Sequence, residues 1–167
     1  MDDANLFQPA TGQPPGDQAE DPRRPVPRAP ASRDIFDTER DDHFIRSGGQ
    51  AFAGTHLIID VIGGTGLGDE ARIRQAFRDC VTACGATLLH IHTHAFSPQG
   101  ISGVAVLAES HISVHTWPEL GYGAFDVFMC GAAQPWGAVD VLKAAFATDD
   151  VRVREILRGQ GLVTSPA

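Results

Sequence analysis

The chain has 167 residues, 43% of them hydrophobic, and a formal net charge of −8. That length suits one domain with some extra chain, and an acidic balance with no basic stripe argues against nucleic acid as a partner. No apolar run approaches the ~20 residues of a membrane span. The N-terminus lacks the basic-then-apolar pattern of a signal peptide, so a cytoplasmic location is expected, which three cysteines fit.

Residues 1–50 read as a disordered arm, because seven of the eleven prolines fall between Pro9 and Pro30 and large apolar side chains are sparse. Ile35, Phe36, Phe44 and Ile45 are the exceptions. They either dock on the domain or a partner, or belong to a solvated tail. The folded domain is expected over 51–162, with 163–167 a tail. His56 to Ile62 predicts a strand closed by Gly63-Gly64. The run Gly63 to Gly68 resembles a phosphate loop only faintly, lacking the Gly-Lys-Ser/Thr ending, and reads as a flexible turn. Asp69 to Cys84 predicts a helix with Ile73, Phe77, Cys80, Val81 and Cys84 on one stripe and Gly85 as its stop. The two cysteines there read as small buried side chains.

Strands follow over Thr87–His94, Gly103–Ala108, His111–Trp117 and Tyr122–Met129, with a loop at Ser97–Ser102. A helix begins at Pro135 and runs to Phe146, and Val151–Leu157 is a last strand. This order predicts an α+β fold: a two-layer sandwich, mainly antiparallel β-sheet with two helices on one face.

Three features carry chemistry. His111, Ser113 and His115 share one strand face, and the Glu109-Ser110 step precedes them, so a carboxylate, a hydroxyl and imidazoles gather around one peptide bond. His90, His92 and His94 also share a face. With Asp126 they offer donors for zinc or iron, or else they line a dimer sheet or the edge of an active site. Lys143 is the only lysine and falls on a predicted amphipathic helix, which disfavours a pyridoxal-phosphate enzyme.

The runs Phe96-Ser97-Pro98-Gln99-Gly100-Ile101-Ser102-Gly103, Ala108-Glu109-Ser110-His111-Ile112-Ser113-Val114-His115-Thr116-Trp117-Pro118-Glu119 and Gly121 to Gly131 resemble the prokaryotic S-adenosylmethionine decarboxylases, small self-processing pyruvoyl enzymes of polyamine (spermidine) synthesis. The similarity extends from His56 to about Arg158 and leaves the first fifty residues uncovered. The resemblance implies the same sandwich fold, with a homodimer packed through its sheets. It also implies autocatalytic cleavage between Glu109 and Ser110. The Ser110 hydroxyl attacks the preceding carbonyl, the amide becomes an ester, and loss of the serine α-proton eliminates the Glu109 carboxylate. Hydrolysis then releases ammonia and leaves a pyruvoyl group at position 110. One product chain ends at Glu109 and the other starts at 110. A fixed geometry can supply ~7–11 kcal/mol toward such an attack; the spacing alone does not establish it.

By the same resemblance His115 is the base or proton carrier in elimination, and Ser102 assists processing. Cys130 protonates the substrate carbon after carbon dioxide leaves; a thiol with an ordinary pKa near 8.5 is a usable donor. The pyruvoyl ketone forms a Schiff base with the substrate amine and acts as electron sink. Phe96 stacks on adenine, Trp117 joins that pocket, and Glu119 holds the ribose hydroxyls. Each also has a plainer reading: a buried core cysteine, a half-buried histidine, packed aromatics, a turn carboxylate. The chain departs from many relatives at His94-Ala95-Phe96, where they carry His-Arg-Phe, and at Met129, where they often have Thr. These changes surround the pocket and leave arginine or ornithine open as substrates. A non-catalytic paralogue is disfavoured because Ser110, His115, Ser102 and Cys130 are all present.

Overall fold

The computed structural model describes residues 44–47, 49–108 and 110–162. The arm up to residue 43, with Ile35 and Phe36, lies outside the described residues, as do Glu109 and the tail from 163. In chain order the elements are β1 (Ile45–Ser47), β2 (Gln50–Phe52), β3 (Gly54–Val61), α1 (Glu70–Ala83), β4 (Leu88–Ala95), β5 (Ile101–Leu107), β6 (His111–Trp117), β7 (Tyr122–Met129), α2 (Gly137–Phe146) and β8 (Val151–Arg158). A one-turn 3-10 helix, Pro118–Leu120, links β6 to β7.

Six strands form one sheet in the order β4-β5-β6-β7-β3-β8, with every neighbouring pair antiparallel. Alternation along each strand builds a face of Leu57, Ile59, Ile112, Val114, Phe125 and Val127, all essentially without exposure. Both helices lie on that face. Ile73, Ala76, Phe77 and Cys80 of α1 and Ala138, Leu142 and Phe146 of α2 complete one core with it. The α+β two-layer sandwich is therefore observed, with β-α-β-β-β-β-α-β as the order of its main elements.

Local signals account for the helix ends. The Asp69 side chain accepts from the Arg72 N–H at 3.1 Å as the N-cap, and Gly85 leaves the helix at φ 68°, a conformation that favours glycine. Four features differ from expectation. A hairpin, β1 with β2, spans the limit drawn at residue 50. The glycine-rich turn after β3 is held rather than loose: Gly64 N–H donates to Gly121 C=O at 2.9 Å and Thr65 N–H to Phe146 C=O at 2.8 Å. The loop expected to reach Ser102 ends at Gly100, because Thr116 Oγ1 accepts from the Ile101 N–H at 2.8 Å and draws residue 101 into the sheet. Helix α2 starts two residues after Pro135, which sits in the preceding turn with Ala138 N–H donating to its C=O at 3.1 Å.

Phe77 is fully buried and its ring covers Gly103, where an added Cβ would stand 3.2 Å from Phe77 Cε2. Phe77→Ala is expected to cost ~3–5 kcal/mol, the usual range for emptying an aromatic site in a core. Urea unfolding checks this through a lower midpoint at unchanged slope; a loss under ~1 kcal/mol would show that α1 is not seated as described.

Candidate active site

The sheet face opposite the helices is polar. Cross-strand partners on it form rows: His90, Val106, His111, Phe128 and His56; then His92, Val104, Ser113, Asp126 and Ile58; then His94, Ser102, His115, Ala124 and Asp60. Six histidines share this face. At its centre Ser113 Oγ donates to Asp126 Oδ2 at 3.2 Å, and His56 Nε2 lies 3.3 Å from Asp126 Oδ1. Arg158 Nη1 is 3.2 Å from His56 Nδ1. A guanidinium only donates, so Nδ1 accepts and Nε2 carries the ring proton. That proton is near the carboxylate but poorly aligned, and among the described residues the buried Nε2 makes no hydrogen bond. His111 leans on this group, 6.3 Å from the His56 ring and 5.6 Å from Phe128. Burial, and then the neighbouring His56, hold its pKa below the ordinary histidine value.

The expected site residues fall into two groups at opposite ends of β6. At one end the Leu107 N–H donates to the Ser110 C=O at 3.0 Å, closing the β5–β6 hairpin with only Ala108 and Glu109 between. Ser110 is half-buried, and its Oγ accepts from the Cys130 backbone N–H at 3.1 Å. Ser110, Cys130, Thr87, Leu107 and Ala133 help line a cavity of about 210 Å³ there.

At the other end Ser102 and His115 are direct partners across β5 and β6. A cavity of about 190 Å³ is lined by Phe96, Gln99, Gly100, Ile101, His115, Thr116, Trp117 and Glu119. Phe96 and Trp117 present exposed faces, 52% and 41%, too open for core packing to be their whole purpose. Trp117 stacks on Tyr122 at 5.3 Å, and the Tyr122 hydroxyl donates to Asp60 Oδ1 at 2.7 Å. Gln99 Nε2 donates to Glu119 Oε2 at 2.9 Å.

Ser110 and His115 do not meet within one chain. At 3.4 Å per residue, five residues of extended strand separate them by roughly 17 Å. Ser110 stands just before β6, outside the face shared by His111, Ser113 and His115, and the imidazole nearest Ser110 along the chain belongs to His111. Gln99, Thr116 and Tyr122 were not singled out from the sequence as site residues. Gln99 and Thr116 act through contacts 15 to 20 residues away in sequence. Tyr122 faces Trp117 as its partner across the β6–β7 connection, which the strand assignments already imply.

His90, His92 and His94 are strung along the edge strand at steps of about 6.8 Å, and Asp126 stands three strands away and is engaged with His56 and Ser113. Among the described residues no three His, Cys, Asp or Glu side chains converge on a point that would hold a metal. Nor is any described helix long and apolar enough to cross a membrane.

Residues 55–159 match the model of the family described as S-adenosylmethionine decarboxylase. The chain belongs to the S-adenosylmethionine decarboxylase family. It is 47% identical over 109 residues to the S-adenosylmethionine decarboxylase proenzyme of Methanococcus maripaludis strain C7, covering 64% of this chain and 89% of that protein. With the proenzyme of the same name from Thermomicrobium roseum it shares 41% over 108 residues, 64% of this chain and 93% of that one. Among solved structures it is similar to the adenosylmethionine decarboxylase from Aquifex aeolicus, with a TM-score of 0.59 and 30% identity over 65% of this chain and 92% of that one. The matched decarboxylase span contains both ends of the site.

The depressed pKa of His111 gives a signed expectation. In the unfolded chain the imidazole takes a proton near pH 6.5, while the folded chain resists it. Below that pH the unfolded state binds more protons, so stability falls as pH drops. In a Ser110→Ala background, the thermal midpoint should fall less between pH 7.5 and 5.5 when His111→Asn is added. An equal fall in both proteins would contradict this assignment.

Proposed function

We propose that the chain is an S-adenosylmethionine decarboxylase that cuts itself between Glu109 and Ser110 and works as a homodimer with two shared sites. What carries the proposal is Ser110, the residue of the motif at which chain cleavage is required. It sits at a hairpin end beside a cavity, with its Oγ held by the Cys130 N–H at 3.1 Å. The decarboxylase names of relatives matched along most of their length support the activity, and the word proenzyme in those names supports processing.

The residues at position 110 suit a small pyruvoyl group made from Ser110. A backbone N–H already points at the side chain, the residue bearing that N–H also carries the thiol, and a cavity adjoins. Such a group supplies the electron sink for loss of carboxylate. In processing, the Ser110 hydroxyl attacks the Glu109 carbonyl, and His115 with Ser102 takes the proton whose loss completes elimination. In turnover, the Cys130 thiol returns a proton to the substrate carbon. Phe96 and Trp117 offer faces for the adenine and the sulfonium. Gln99 holds one oxygen of Glu119, which orients the other toward the two ribose hydroxyls.

These roles need His115 near Ser110, and a second copy meets that need. Sheets stacked face to face lie about 10 Å apart, close enough for their side chains to meet. A two-fold axis would bring Ser110 and Cys130 of one copy to the partner's His115, Ser102 and adenosine pocket, and the reverse contact would form the second site. It would also cover the open face, where Val106, Trp117 and Ile156 are each about two-fifths exposed.

Intact mass of the purified protein should show two chains divided between Glu109 and Ser110, and Ser110→Ala should stay whole. Cys130→Ala should still cleave but release carbon dioxide from adenosylmethionine ~100- to 10,000-fold more slowly, the usual cost of losing a general acid. One uncut wild-type chain after long incubation contradicts processing; equal or faster release from arginine or ornithine contradicts the substrate.

A further inference from the structure

A different cavity, of about 400 Å³, opens on the helix side of the sheet between the β1–β2 hairpin, the end of β8 and the turn before α2. Its walls include Ile45, Phe52, Trp136 and Leu157, with Gln134 and Glu155 as polar members. That volume is within the range of small-molecule sites. None of the residues placed in processing or decarboxylation lines it.

Glu155 is the anomaly. On β8 the residues Val153, Glu155 and Leu157 pair with Ile59, Leu57 and Thr55, so all three point to the helix side, where an apolar residue is expected at each. A carboxylate stands there instead, solvent-exposed on the edge strand at the cavity mouth. Its Oε1 accepts from the Trp136 indole N–H at 3.0 Å, while among the described residues Oε2 has no protein partner. Among the described residues it is the only formally charged side chain lining the cavity. Phe52 and Trp136 add two aromatic rings, and Trp136 is 51% exposed. A carboxylate held by an indole N–H, beside that exposed indole, a buried phenyl ring and aliphatic walls, is the chemistry that recognises an organic cation with an apolar body.

We propose that this cavity binds a small alkylammonium cation, with Glu155 opposing the charge and Trp136 and Phe52 holding the apolar part. Ala133 lines both this cavity and the one beside Ser110 and Cys130, so an occupant would rest against the segment that follows the thiol. A purely structural Glu155 needs only an acceptor for the Trp136 indole. A cation site needs the charge as well.

The two roles separate in Glu155→Gln, which keeps an acceptor for Trp136 and removes the charge. The probe is hexyltrimethylammonium, which cannot form an imine with a ketone. The protein is the full chain carrying Ser110→Ala, so that binding is read independently of processing. Calorimetry should show saturable binding that weakens at least tenfold in Glu155→Gln and is absent with hexanol. Only two tryptophans are present, so nuclear magnetic resonance can follow both indole N–H signals; that of Trp136 should move and that of Trp117 should not. Absence of saturable binding, an unchanged affinity in Glu155→Gln, equal binding of hexanol, or movement of the Trp117 signal alone would each overturn the site. Chain cleavage, read by mass on the wild-type protein, remains a separate result.

Discussion

An extended strand is a ruler, and strand β6 sets the scale for everything else in this molecule. With Ser110 just before its first residue and His115 near its last, groups that processing would bring together are held roughly 17 Å apart. Hydrogen bonding on both sides, to β5 and to β7, prevents the strand from folding back. On the proposed reading the chain carries two half-sites of different chemistry. One has a hydroxyl and a backbone donor. The other has an imidazole, a serine and an aromatic pocket. A symmetric pair of chains would join such halves twice over, and the sheet face opposite α1 and α2 would be the surface for that pairing.

The centre of that face acquires a meaning from the same geometry. If Ser110 of each copy approaches the partner's His115, the symmetry axis must pass near the midpoint of β6, close to Ser113 and its partner Asp126. Two carboxylates would then lose water near one axis, which is costly unless hydrogen bonds and opposite charge compensate. Ser113 and His56 already stand against Asp126 within one chain, and Arg158 reaches only the far ring nitrogen of His56. The misaligned, unsatisfied His56 Nε2 marks a group whose hydrogen bonding is incomplete in the isolated chain.

Much of this was legible in the sequence, for physical reasons. The period-two run from His111 to Trp117 and the helical stripe through Ile73, Phe77, Cys80 and Val81 each record a one-sided environment, and a local pattern reports it. Asp69 and Gly85 mark the ends of α1 because cap chemistry is local. What escaped was nonlocal. Thr116 pulls Ile101 into the sheet from 15 residues away, which is why Ser102 proved to lie inside a strand. Phe146 and Gly121 fix the glycine-rich turn that looked loose in isolation. The Gln99 to Glu119 contact is likewise invisible to spacing. The separation of Ser110 from His115 is different: it follows from the strand assignment by arithmetic, and grouping a hydroxyl and imidazoles around one peptide bond overlooked the length of strand between them.

Mixed assembly of two inactive variants tests the shared-site account most directly. Ser110→Ala lacks the attacking hydroxyl, and His115→Ala lacks the proton carrier, so neither should cleave alone. Co-expressed, they would form dimers in which one site combines the intact Ser110 of the His115→Ala chain with the partner's intact His115. Random pairing in equal amounts places about half of the His115→Ala chains in such dimers, and mass spectrometry should find up to that share cut between Glu109 and Ser110. No cleavage in verified mixed dimers, or normal cleavage of His115→Ala by itself, would contradict a site built from both chains.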